Sequence, residues 1–61
     1  MSSSLDTLVR MANDIARNLR DPEATAEHIR AFWDPRMRAS IKAHDGSGLS
    51  DIARDAIARL A

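Results

Sequence analysis

Residues 19–38 read LRDPEATAEHIRAFWDPRMR, and the two Asp-Pro pairs in this stretch decide how the chain folds. Aspartate before a helix accepts hydrogen bonds from the free amides of the first turn, and proline just inside the helix lacks only an N–H that would be unpaired anyway. Asp21-Pro22-Glu23 therefore predicts a helix start, with Ala26, Ile29, Phe32 and Trp33 as the apolar face of residues 22–33. Asp34-Pro35 repeats the grammar, because the residue before a proline is pushed out of the α region while the aspartate caps the next helix. That third helix, 35 to about 44, is expected to leave the corner at a sharp angle, with Met37, Ile41 and His44 on one face.

Upstream, Leu5, Leu8, Val9, Ala12, Ile15, Ala16 and Leu19 fall at the three- and four-residue spacing of one helical stripe and predict a helix over 5–20. Ser4 or Ser3 is placed to cap it, Asp6 suits the positive end of its dipole, and Arg17 and Arg20 suit the negative end. The connection to the second helix is so short that the first two helices are expected to form an antiparallel hairpin. Downstream, Asp45-Gly46-Ser47-Gly48 predicts a left-handed C-cap and a turn, the natural hinge of the chain. Ser50 then caps a fourth helix, 51 to about 60, with Asp51 in its first turn and Ile52, Ala53, Ala56, Ile57 and Leu60 on one stripe. The fold class is all-α: a small bundle of three to four short helices, forming a single helical domain over 1–61.

Sixty-one residues without a cysteine exclude a disulfide staple and a thiolate metal site, so apolar packing must hold a fold whose margin at this size is small. Nine basic and nine acidic residues cancel, so no global field draws the chain to nucleic acid or to an anionic membrane. The residues following Met1 lack the charged start and apolar run of a signal peptide, and no apolar stretch is long enough to span a bilayer. These features point to a cytoplasmic protein. His28 and His44 lie sixteen residues apart with no metal-ligand spacing, and read as surface or half-buried side chains. No phosphate loop, nucleophile elbow or triad is present, and a chain this small does not enclose a substrate pocket. The expectation is a non-enzymatic interaction module with no catalytic, cofactor-binding or metal-binding residues of its own.

Its candidate partner-binding residues are Phe32, Trp33, Asp34, Pro35, Arg36, Met37 and Arg38, which hold the chain's only Phe, its only Trp, and two of its eight arginines. Aromatic and arginine side chains carry much of the energy of protein interfaces. Adjacent helical positions differ by about 100°, so Phe32 and Trp33 diverge and cannot both fill a thin core; either could instead be buried by a partner. Arg36 and Arg38 stand in the first turn of the third helix, where a cation opposes the dipole by roughly 0.3–1 kcal/mol. They could recognise carboxylates or carbonyls of another chain, or pair internally with Asp34 or Glu27, or simply be solvated. A helix-turn-helix with Arg36, Arg38, Ser40 and Lys42 facing a major groove is the rival reading, that of a small DNA-binding or regulatory module.

Three segments, Leu8-Val9-Arg10-Met11-Ala12-Asn13 with Ile15-Ala16, Ala31 to Arg38, and Gly48-Leu49-Ser50, carry a resemblance. The chain resembles the delta subunit of soluble, cytoplasmic NAD-dependent formate dehydrogenases containing molybdenum or tungsten, the FdsD family. The resemblance implies a non-catalytic subunit supporting assembly or stability of the complex. It also implies an alpha subunit as the most direct partner, carrying bis-molybdopterin guanine dinucleotide, with beta and gamma subunits supplying FMN, iron–sulfur clusters and the NAD reaction. No nucleic acid and no membrane is implied as a partner. The chain departs from relatives in the tight Arg17-to-Asp21 connection and in Asp51, where relatives often have proline, so its fourth helix is expected to start differently.

Overall fold

A computed structural model describes residues 4–60, and within them the chain forms α1 (Ser4–Leu19), α2 (Pro22–Phe32), α3 (Pro35–Ala43) and α4 (Asp51–Ala58). All four predicted helices are present, with no strand among the described residues. The starts of three of them follow the capping chemistry. Asp21 Oδ2 accepts the Ala24 N–H at 2.8 Å, Asp34 Oδ1 accepts the Met37 N–H at 2.9 Å, and Ser50 Oγ accepts the Ala53 N–H at 3.2 Å. Ser3, one of the two candidate caps of α1, lies outside the described residues, and Ser4 opens the helix.

The helix ends differ from expectation. α1 stops at Leu19, and Arg20 leaves it with φ 55°, a left-handed conformation that an arginine adopts at a steric penalty, while its N–H still reaches the Ala16 carbonyl at 2.8 Å. α3 stops at Ala43, and His44 caps it in an extended conformation (φ −70°, ψ 148°) instead of a left-handed one. The left-handed positions fall later, at Gly46 (φ 93°) and Gly48 (φ 81°), inside the α3–α4 loop.

At about 1.5 Å per residue the sixteen residues of α1 extend roughly 24 Å, most of the long dimension of a body measuring 30 × 20 × 18 Å. Leu8, Ala12 and Ala16 are its buried face, met by Ile29 and Trp33 from the α2 segment, Ile41 from α3, and Leu49 and Ala53 from the end of the chain. Half of the buried apolar residues are alanines (12, 16, 26, 53, 56), which let helix backbones approach closely. α2 pairs most extensively with α4, and also touches α1. Thr25 is fully buried on α2 and satisfied by donating from Oγ1 to the Asp21 carbonyl at 2.7 Å. Leu19, placed on the stripe of α1 by its spacing, is the last residue of the helix and is 43% exposed.

Candidate docking surface

The corner between α2 and α3 holds the block 32–38. Trp33 ends α2 in an extended conformation (φ −88°, ψ 140°), and its N–H closes the helix on the Ile29 carbonyl at 2.9 Å. Asp34 is extended as well (φ −74°, ψ 165°), as Pro35 requires of its predecessor. Two successive extended residues turn the chain and separate the aromatic pair. Trp33 is 4% exposed within the core, whereas Phe32 is 75% exposed. The divergence expected from helical geometry is realised, with tryptophan inward and phenylalanine outward.

The remaining side chains of the block divide in the same way. Asp34 is occupied as the cap of α3, and Met37 is half-buried against the core. Arg38 swings back across the corner, donating from Nη1 to the Arg30 carbonyl at 2.9 Å and the Trp33 carbonyl at 3.3 Å. A cation unfavourable at the start of α3 thereby sits at the negative end of α2, where it satisfies carbonyls the helix leaves free. Pro35 and Arg36 are exposed and with Asp34 line a shallow open hollow. Neither Arg36 nor Arg38 pairs with Asp34 or Glu27; the acid–base pairs among the described residues lie elsewhere, as in Arg59 with Glu23 (3.1 Å) and Asp55 (3.3 Å).

Two further residues complete the surface and its support. His28, one turn before Phe32, lays its ring 4.7 Å from the phenylalanine ring, tilted by 38°. Its i, i+4 spacing to Phe32 was visible in the sequence, but only the outward turn of Phe32 makes the pair an exposed patch. The structural role of Asn13 was not read from the sequence. Its side-chain amide donates from Nδ2 to the Gly48 carbonyl and accepts the Ser50 N–H on Oδ1, both at 2.8 Å. It thereby grips the backbone on both sides of Leu49, whose side chain is buried. The signal was an amide one turn beyond Val9, on the flank of an otherwise apolar stripe.

The loop that Asn13 holds, expected to be the hinge, is tied at several points. His44 Nε2 lies 2.7 Å from the Ser47 carbonyl, which can only accept, and the Leu49 N–H reaches the Gly46 carbonyl at 3.1 Å. The Ser47 N–H donates to Asp45 Oδ1 at 2.9 Å. That bond and the Ser47 side chain, with the nearby His44, hold the Asp45 carboxyl below the ordinary aspartate range.

No group of three or more His, Cys, Asp or Glu among the described residues is placed to hold a metal ion. No described helix is long and apolar enough to cross a membrane. The block 32–38 thus presents an outward aromatic side chain, an exposed proline and an outward cation on a firmly closed corner. Of the three segments on which the family resemblance rests, two, Leu8 to Asn13 and Gly48 to Ser50, meet through the Asn13 clasp, and the third is the corner itself.

Searches of curated proteins and of solved structures return no match. A protein-family model described as the NADH-dependent formate dehydrogenase delta subunit FdsD matches residues 7–57, a span running from the first turns of α1 to the last turn of α4. The chain belongs to the family of NADH-dependent formate dehydrogenase delta subunits.

Proposed function

We propose that this chain is a non-catalytic subunit that supports assembly or stability of a cytoplasmic, NAD-dependent formate dehydrogenase, docking on the alpha subunit through residues 32–38. Family membership over 7–57 is the observation that carries the reading. The outward Phe32 and Arg36 support it, since neither is used by the chain's own fold. In this reading the redox centres belong to the partners: bis-molybdopterin guanine dinucleotide in alpha, iron–sulfur clusters and FMN in beta and gamma. This subunit contributes buried surface and no chemistry. The DNA-binding alternative gains no support, because the net charge is zero and Arg38 is turned onto the α2 carbonyls.

The test is complementation. Cells lacking this subunit are supplied with the wild-type or a block-substituted chain, and the tagged complex is recovered and assayed for alpha-subunit content, metal and formate-dependent NAD reduction. Loss of recovered complex without the chain, and its restoration by the wild type, supports the proposal. Full recovery of active complex in its absence sinks it.

A further inference from the structure

We infer that the docking contact is made by the outer edge of the corner, His28, Phe32 and Arg36, and that its occupant is an apolar pocket edged by a carboxylate on a formate dehydrogenase subunit. This rests on the delta-subunit reading and narrows it, because Trp33, Asp34, Met37 and Arg38 are committed within the fold.

Phenylalanine is a poorer helix former than the alanine beside it, and at 75% exposure Phe32 gains almost no burial in the free chain. The backbone that carries its ring is nevertheless held in position. His28 flanks it, the next residue is anchored in the core, and Arg38 ties the last turn of α2 to α3 through the Arg30 and Trp33 carbonyls. A ring presented on a fixed backbone loses less entropy on entering a pocket than one carried on a loose segment, which favours affinity.

Arg36 supplies the polar half. It stands at the positive end of α3, has no acidic partner among the described residues, and faces solvent. Asp34, the nearest acid, is occupied by the Met37 N–H. Glu27 lies five positions before Phe32, about 140° round the helix, and so on another side. A carboxylate from outside would fit the guanidinium in a planar, two-point contact.

A second copy of the chain does not fit this patch. Two Phe32 rings would together bury roughly 300 Å², well short of the roughly 1,200 Å² at the lower end for a stable interface. A concave site on a large subunit can surround the ring and supply the missing charge.

The measurement is binding of the full-length chain to the enzyme purified as the complete complex and then freed of this subunit, by interferometry at two salt concentrations. Each variant is also checked for helicity and melting. Phe32→Ala is expected to weaken binding roughly 30-fold with melting unchanged. Arg36→Ala is expected to weaken it several-fold and flatten its salt dependence. Met11→Ala, an exposed apolar residue on α1, should bind as the wild type does. Wild-type binding by a folded Phe32→Ala chain overturns the inference while leaving the delta-subunit reading intact. A wild-type chain that fails to bind the enzyme removes both. A Phe32-dependent dimer in sedimentation overturns the pocket in favour of a second copy.

Discussion

Phe32 and Trp33 are neighbours in sequence, yet they have separate thermodynamic roles. Trp33 is core, and truncating a buried aromatic of this size costs about 3–5 kcal/mol, much of what a small domain has. Trp33→Ala is therefore expected to leave the free chain largely unfolded at room temperature by circular dichroism. Phe32→Ala removes a side chain that touches mainly His28 and should shift stability by no more than about 0.5 kcal/mol. The reverse pattern in melting would mean that the corner is assembled differently. Asn13 marks the limit of what residue types reveal. Helical periodicity ranks positions by apolarity, so an amide on the flank of the stripe reads as surface, although this one closes two backbone bonds to the loop. Asn13→Ala is expected to lower stability by about 1–2 kcal/mol, and a urea titration in which the midpoint falls with unchanged slope would confirm a local loss. Asn13→Asp keeps only the acceptor and should fall between the two.

Among the elements, helix starts were legible with their caps, and helix ends to within one or two residues but not in their backbone conformation. A start is written in side chains: Asp21, Asp34 and Ser50 each accept an amide hydrogen where their type and the following residues place them. Asp51 opens α4 with Ser50 as its cap. Ends depend on which backbone conformation the next contact demands. Arg20 takes a left-handed conformation because Asp21 must begin α2 at once, and no residue preference announces that. Gly46 and Gly48 were read as serving a left-handed cap and a turn; the turn that seats Leu49 uses them, and the cap of α3 falls instead on the extended His44. Since a non-glycine left-handed residue is strained by roughly 1 kcal/mol and glycine gives part of this back in unfolded-state entropy, Arg20→Gly is expected to stabilise the chain by about 0.5 kcal/mol. A thermal midpoint a few degrees higher in the glycine variant is the expected readout; a lower one would show that the Arg20 side chain contributes more than its backbone strain removes.

At the scale of the whole molecule, the helical stripes give an all-α bundle but not which helices pair most closely. α2 and α4 pair most extensively, and their fully buried apolar residues include the alanines 26, 53 and 56, which carry little weight in an apolar pattern. The same alanines bear on function, because a core built so largely from methyl groups buries modest area, and burial is the main term holding a chain with no cysteine. Binding to a partner then adds stability by mass action. With the partner at a hundredfold its dissociation constant, the bound chain gains about 2.7 kcal/mol, which at roughly 4–8 °C per kcal/mol for a domain of this size moves the thermal midpoint up by about 10–20 °C. Native-state hydrogen exchange of the chain, free and in complex, reads this directly. Protection of core amides such as that of Ile29, which exchange through global opening, should rise about a hundredfold on docking. For Phe32→Ala, binding roughly 30-fold more weakly, the rise at the same concentrations should shrink to about fourfold, while its free-state protection stays that of the wild type. Equal protection in the free and bound wild-type chain would show that the fold draws nothing from its partner, and that its role in the complex is carried by something other than shared stability.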